Sequence, residues 1–157
     1  MMHDIDRNRL IVKVANITRR MALVDTTSMT DPKVPNIELP AKVVVSTAEL
    51  LQGIKAAEQI SEHISLIISP DSIELVSEGD TDSVTLKLPK DLLKELDCHD
   101  TVKSLFSLDY FGNMIKACRS PFVTMNLGTD YPVKIEFEIA ESTGHVRYLL
   151  APRIENE

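Results

Sequence analysis

The chain has 157 residues, of which 43% are hydrophobic and 4% aromatic, and its formal net charge is −7. This length allows one domain with a sizeable core, or one domain with an appendage. The acidic balance argues against a protein that coats nucleic acid with its whole surface, and the scarcity of aromatic side chains argues against a base-stacking single-strand binder. Any contact with nucleic acid is therefore expected to be local, electrostatic and indifferent to sequence.

The sequence contains neither a signal-peptide pattern nor an apolar run that approaches the ~20 residues needed to cross a bilayer. Its two cysteines, Cys98 and Cys118, provide no disulfide framework, which is typical of a reducing compartment. We therefore expect an intracellular protein with no membrane partner and with free thiols.

The first forty residues predict a β-hairpin followed by an extended strap. Two β-prone runs, residues 10–14 and 18–24, are separated by three residues, and such a hairpin needs a partner surface because two strands alone are marginal in water. Residues 24–40 hold three of the eight prolines. Proline breaks helices and central strands, so this segment is expected to be an extended connector. Apolar residues such as Val34 indicate that it lies against a folded body.

From residue 41 onward the same succession of elements occurs twice. A strand, a helix and three strands are predicted within residues 41–88 and again within residues 102–150. The predicted strands are residues 42–45, 64–69, 72–77, 83–88, 102–106, 122–127, 132–139 and 145–150, and the predicted helices follow Ser46 and Ser107, the first reaching Ile60 and the second Cys118.

The two predicted helices align without a gap. Ser46 and Ser107 are 61 residues apart, and so are the Ile-Lys-Ala triplets that contain Lys55 and Lys116. Ser46 also has capping-box spacing to Glu49, and Ser107 is predicted to be the second N-cap. Such a unit packs its helix on one face of an antiparallel sheet, so we expect an α+β fold with two helices side by side on one larger curved sheet. On periodicity alone, the two exposed lysines indicate a solvated helix face.

The sequence offers little support for an enzyme. Cys98, His99 and Asp100 place a thiol, an imidazole and a carboxylate in one run, but adjacent loop residues rarely converge on one atom to form a triad or a metal site. The other histidines are scattered, and no Gly-rich phosphate loop is present. We therefore expect no catalysis, no metal and no cofactor, and a neutral Cys98→Ala substitution.

The run GHVRYLLAPRIE at residues 144–155 closely resembles the end of the archaeal and eukaryotic DNA sliding clamp, the proliferating cell nuclear antigen family. The resemblance extends upstream through Asp130-Tyr131-Pro132-Val133, through both Ile-Lys-Ala helices and through residues 41–45. It covers about residues 6–155, and the Leu-Ala-Pro-Arg-Ile-Glu ending is its most specific part.

The resemblance implies a DNA-clamp (processivity) fold, with two similar domains per subunit and three subunits around duplex DNA. Helices would line the hole and sheets would form the outer wall. Residues 1–23 would be the remnant hairpin of the first domain, residues 24–40 the interdomain connector, and residues 41–157 the second domain. Because the family has a complete first domain before the connector, this sequence is expected to represent a truncated form.

The resemblance also implies three groups of site residues. The DNA-facing group is Lys55 and Lys116, with Arg119 as a helper. The walls of a pocket for the hydrophobic peptide motifs of client proteins are Val34, Pro132, Leu149, Ala151, Pro152 and Ile154. The subunit interface joins an edge strand containing Thr18, Arg20 and Ala22 to one containing Ser83, Thr85 and Lys87.

Two functional hypotheses follow. The first is a replication clamp subunit, which tethers replication and repair proteins to duplex DNA and has DNA polymerase, the clamp loader and other clients as partners. It would form a trimer in the parent family and associate weakly as this chain, in the cytoplasm of an archaeon or the nucleus of a eukaryote. The alternative is a stand-alone adaptor that binds client peptides without encircling DNA. Salt-dependent duplex binding separates the two.

Overall fold

A computed structural model describes residues 1–25, 27 and 37–154. The chain divides into two compact units, Met1–Asn36 and Ile37–Glu157. Among the described residues, no helix has the length and apolar character that a membrane crossing requires.

The first unit contains a three-stranded antiparallel sheet. Its strands are β1 (Met2–Asp4), β2 (Arg9–Val14) and β3 (Ile17–Ala22), in the order β1-β2-β3. The hairpin predicted from residues 10–14 and 18–24 is confirmed, and Ala15 adopts a φ of 49° at its turn. Strand β1 was not predicted, because three residues carry no usable periodicity.

The second unit follows the predicted succession of elements, and every predicted strand is found to within one residue at either end. The first helix ends at Ala57 rather than Ile60, because the chain continues there as turns, and the second helix ends at Ala117 rather than Cys118. The segment between the repeats holds a 3₁₀ turn and a short strand that the sequence did not predict. The elements are β4 (Ala41–Ser46), α1 (Thr47–Ala57), β5 (His63–Ser69), β6 (Ser72–Glu78), β7 (Ser83–Pro89), the 3₁₀ turn Lys90–Leu92, β8 (Glu95–Asp97), β9 (Val102–Ser107), α2 (Leu108–Ala117), β10 (Phe122–Leu127), β11 (Val133–Ile139) and β12 (Gly144–Leu150).

The strands of this unit form two sheets rather than the single larger sheet expected from the sequence. One has the order β12-β11-β10-β4-β8 and the other the order β7-β6-β5-β9. The first strand of each repeat has therefore crossed to the other repeat: β4 pairs with β10, and β9 pairs with β5, both antiparallel. Hydrophobic periodicity identifies the buried face of a strand but not its neighbour, which is why the sequence did not predict this exchange.

The exchange also supplies the helix N-termini with hydrogen-bond acceptors. The Thr47 N–H donates to the Pro121 carbonyl at 3.0 Å, and the Leu108 N–H donates to the Glu62 carbonyl at 2.9 Å. Ser46 and Ser107 occupy the predicted N-cap positions, but neither side chain makes a capping hydrogen bond, so the predicted capping box does not form. Backbone carbonyls just before β10 and β5, the strands with which β4 and β9 pair, accept hydrogen bonds from the first helical amides instead.

A single hydrophobic cluster connects the two repeats. Side chains of β4 alternate between buried and half-buried positions, with Val43 and Val45 facing the core. Helix α1 contributes Leu50 and Ile54, and α2 contributes residues such as Phe111, which is fully buried. Because both helices bury one side in this shared cluster, they lie next to each other and expose their opposite sides.

The start of α1 provides a direct test of the exchanged packing. The buried Thr47 hydroxyl donates to the Ser120 carbonyl at 2.7 Å, which links the helix of one repeat to the segment before β10 of the other. We expect Thr47→Val to lower the free energy of unfolding by about 1–3 kcal/mol, because it leaves that carbonyl without its donor. Ser46→Ala is the matched neighbouring control. Because the Ser46 side chain makes no capping hydrogen bond, this substitution should lower the free energy of unfolding by less than the ~0.5–2 kcal/mol typical of the loss of an N-cap.

Denaturant unfolding of the two variants provides the measurement. Equal losses in Thr47→Val and Ser46→Ala, or a larger loss in Ser46→Ala, would contradict this description of the helix start.

Candidate functional site

The two predicted DNA-facing lysines lie on neighbouring helices. Lys55 is exposed in the last turn of α1, and Lys116 is exposed in the last turn of α2. The Lys116 ammonium forms a salt bridge with Glu58, which follows α1, with 2.5 Å between Nζ and Oε1. Among the residues that the structure describes, no ion pair involves Lys55. The two lysines therefore share a surface but have different electrostatic environments.

The third residue of this group, Arg119, follows the end of α2. It lines a cavity of about 800 Å³ on the half-exposed face of the five-stranded sheet, together with Lys42 and Lys94. The Lys94 ammonium lies 4.7 Å from the centroid of the Phe122 ring, which is a cation–π contact. The cavity thus groups Arg119 with basic residues of the sheet, and its assignment to the DNA-facing surface stays a prediction.

The predicted peptide pocket is only partly described, because Val34 lies outside the described residues. Pro132 and Ala151 flank the paired ends of β11 and β12, where Val133 is opposite Leu150. Leu149 is opposite Lys134, on the face of the sheet away from the core, and is half-buried. Core packing therefore does not account for Leu149, which remains available to a surface site.

The C-terminal tail crosses from one sheet to the other. The Arg153 N–H donates to the Leu105 carbonyl at 2.7 Å, which makes an isolated antiparallel bridge on β9. Ile154, which is 73% exposed, and Arg153 line a groove of about 640 Å³ on the half-exposed face of the four-stranded sheet. The Pro152 side chain, just before the bridge, is half-buried.

This groove combines apolar side chains with charged side chains of both signs, the acidic ones being Glu78 and Asp130. Its apolar lining comes from the half-exposed residues Ile67, Val76 and Leu105 in addition to Ile154, and its cationic side chains are Lys103 and Arg153. Sequence reasoning found Ile154 through the resemblance of the tail but did not identify the strand residues. Their outward positions follow the strand alternation, but only the paired register shows that they lie under the tail.

An ion network covers the outer face of β11 and β12 near Leu149. The Glu136 carboxylate contacts Arg147 at 2.7 Å, Lys134 at 3.1 Å and His145 at 3.4 Å. Burial alone would raise the pKa of Glu136, but the hydrogen bonds from Arg147, Lys134 and His145 outweigh it and hold the pKa below its ordinary value. The network therefore keeps this carboxylate ionised and fixes the side chains beside Leu149.

The predicted interface residues lie on two edge strands. Thr18, Arg20 and Ala22 are exposed on β3, which pairs only with β2 in its sheet. Ser83, Thr85 and Lys87 are exposed on β7, which pairs only with β6 and is more buried at the residues between them. Each strand thus has a backbone edge without a sheet neighbour among the described residues.

The Cys98 thiol lies against backbone carbonyl groups. The Cys98 thiol donates to the Asp100 carbonyl at 3.1 Å, and burial, followed by the charges of Asp100 and Asp97, raises its pKa. A raised pKa reduces the thiolate fraction and hence the reactivity of the thiol. Within residues 1–25, 27 and 37–154, no cluster of three or more His, Cys, Asp or Glu residues could hold a metal ion. Cys98 and Cys118 are free thiols, as expected.

Comparison with known proteins identifies the family. Residues 33–153 match the family model described as "Proliferating cell nuclear antigen, C-terminal domain". The chain is 42% identical over 154 residues to the DNA polymerase sliding clamp of Methanocella arvoryzae, covering 97% of this chain and 63% of the relative. It is 42% identical over 156 residues to that of Methanosarcina mazei, covering 98% of this chain and 63% of the relative. The chain therefore belongs to the proliferating cell nuclear antigen family.

Solved structures agree with this assignment. The structure of the C-terminal region of FEN-1 bound to A. fulgidus PCNA matches with a TM-score of 0.83 and 34% identity, over 96% of this chain and 62% of that chain. PCNA from Thermococcus kodakaraensis matches with a TM-score of 0.79 at 23% identity, over 93% of this chain and 61% of that chain, and supports the fold alone. The chain thus spans about 63% of the length of the curated relatives it matches.

Proposed function

We propose that this chain acts as part of a DNA polymerase sliding clamp, a non-catalytic processivity factor that tethers replication and repair proteins to duplex DNA inside the cell. The observation that carries the proposal is the 42% identity, over nearly the whole chain, to relatives named DNA polymerase sliding clamp. The side-by-side helices with Lys55 and Lys116 on their exposed faces support it. Such cations bind phosphates without reading sequence, which suits a protein that must slide.

Client binding would occur at the tail. A groove with apolar side chains beside an edge strand suits a short hydrophobic peptide, because the groove can hold side-chain anchors and the part of the β9 edge outside the Arg153 bridge can add strand-like hydrogen bonds. The groove that contains Ile154, together with Pro132, Leu149, Ala151 and Pro152, forms the proposed surface. Val34, the remaining predicted wall residue, lies outside the described residues and stays a prediction. A. fulgidus PCNA, a relative of this chain, has been solved with the C-terminal region of FEN-1, which makes that region a suitable probe.

A stand-alone adaptor is the second candidate. One observation favours it: the tail bridge and the groove lie wholly within residues 37–154, so this part of the proposed peptide surface is formed by the chain itself. An adaptor would capture a client peptide yet show no salt-dependent binding to duplex DNA.

The first prediction for this function concerns Ile154. We expect Ile154→Asp to weaken binding of a peptide from the C-terminal region of A. fulgidus FEN-1 by about tenfold or more, because the bound peptide would desolvate an unpaired carboxylate. Isothermal titration calorimetry measures the affinity. Leu92→Asp is the matched control, because Leu92 is also a large exposed apolar residue and lies on the 3₁₀ turn.

Equal affinities for the wild-type chain and Ile154→Asp would place the peptide site elsewhere. An equal loss in Leu92→Asp would attribute the effect to added negative charge rather than to the groove.

The second prediction concerns self-association. We propose that β3 of one copy pairs with β7 of another, because unpaired strand edges template association. The association should be weak and dependent on concentration, since ordering a strand at an interface costs about 1–2 kcal/mol per residue in backbone entropy. Light scattering over a dilution series should show a rising mass in the wild-type chain and a monomer in Thr85→Pro.

Thr81→Pro, in the turn before β7, is the control and should associate as the wild-type chain does. A tight trimer at low concentration would contradict weak association. If Thr85→Pro leaves the measured mass unchanged, β7 does not form the interface.

A further inference from the structure

The internal duplication makes Lys55 and Lys116 equivalent in sequence, but their charged neighbours in the structure differ. Both lie in the last turn of their helices, 61 residues apart. Of these two lysines, only Lys116 forms an ion pair with a described residue, and its partner is Glu58, with 2.5 Å between Nζ and Oε1. The difference arises from the way the two helices end.

Helix α1 continues its geometry for one residue beyond its end. Glu58 has φ −58° and ψ −18°, and its N–H donates to the Ile54 carbonyl at 2.9 Å, so its side chain projects from the end of the helix. Helix α2 is followed by Cys118 with φ −68° and ψ 122°, which turns the chain away at once. The sequence equivalent of Glu58, Arg119, therefore does not occupy the same place.

A glycine on α2 makes room for the carboxylate. A Cβ atom at Gly112 would lie 3.2 Å from Glu58 Oε1 and 3.2 Å from Ile54 Cγ2, which is tighter than an ordinary contact. The absence of a side chain at Gly112 lets the two helices approach and lets Glu58 extend across to Lys116.

The exposed faces of the two helices and the residue after α1 contain more acidic than basic side chains. Glu49, Glu58 and Asp109 provide three carboxylates against the two lysines, and all five side chains are exposed. A phosphate that approaches Lys116 meets a cation whose charge Glu58 already compensates. Lys55 has no such partner in the part of the chain that the structure describes.

We propose that Glu58 sets the affinity of this helix face for duplex DNA by holding Lys116 in an ion pair within the chain. Phosphate binding at Lys116 then requires displacement of the Glu58 carboxylate, so Lys55 is the principal phosphate-binding cation of the face. This inference rests on the proposed DNA contact and adds a residue that limits it. Because an exposed pair contributes little to folding, the chain should tolerate the loss of Glu58.

The test is a mutant cycle on the salt dependence of duplex binding, measured with a fluorescent duplex at low ionic strength. Each phosphate contact contributes about −0.9 to the slope of log K against log salt. Lys55→Ala should make the slope shallower by about that amount, whereas Lys116→Ala should change it by much less. Glu58→Gln should make the slope steeper by a similar amount, and Glu58→Gln with Lys116→Ala should return it to the wild-type value.

Glu49→Gln is the matched control, because it removes the same charge from the other end of α1. In the Glu49→Gln background, the salt slopes of Lys55→Ala and Lys116→Ala should differ by the same amount as they do in the wild-type background. A second readout needs no DNA: acetylation of Lys116 by an amine-reactive reagent, mapped by mass spectrometry, should be faster in Glu58→Gln than in the wild-type chain or in Glu49→Gln.

An unchanged acetylation rate at Lys116 in Glu58→Gln would overturn the inference, and so would an unchanged salt slope or a lack of duplex binding by that variant at the lowest salt. If Lys55→Ala makes the salt slope shallower while Glu58→Gln leaves the slope unchanged, only the inference fails. If neither lysine affects the slope in any background, the proposed DNA contact fails with it.

Discussion

The exchange of one strand between the two repeats is the constraint on which the rest of the second unit depends. Strand β4 completes the sheet of the second repeat, and β9 completes the sheet of the first. Each exchanged strand leads directly into a helix, so the exchange also determines where the helices begin. The Thr47 and Leu108 amides find their acceptors in carbonyls of the opposite repeat. Neither repeat can therefore complete its sheet or satisfy its helix N-terminus alone.

The surfaces proposed for function follow from this arrangement. Because both helices bury one side in the shared core, their exposed sides form a common face on which Lys55, Lys116 and Glu58 lie together. The opposite faces of the sheets remain outside, where the tail bridge at Arg153 and the exposed Ile154 border a groove. Phosphate binding and peptide binding would thus use opposite sides of the same sheets, so a clamp could hold DNA and a client at once.

Much of the fold could be predicted because strong local signals coincide with the repeat. Alternating apolar residues located the strands of the second unit to within one residue, and the 61-residue offset between Ser46 and Ser107 revealed the duplication. The identity of each strand's neighbour could not be predicted, because a period of two specifies a face and not a partner. The ion pair of Glu58 with Lys116 was missed for a related reason. It joins two different helices and depends on the backbone conformation at the end of α1, which a hydrophobic period does not specify. The peptide surface was predicted from the resemblance, whereas the groove residues Ile67 and Leu105 become apparent only from the paired register.

The central claim is that strand exchange makes the two repeats one cooperative unit, and native-state hydrogen exchange tests it most directly. Amides in the β4–β10 and β5–β9 ladders should exchange with the same free energy, equal to that of global unfolding, because opening either ladder removes a strand from both repeats. The claim would be contradicted if the amides of one ladder exchanged through a separate opening of clearly lower free energy while the other ladder remained protected.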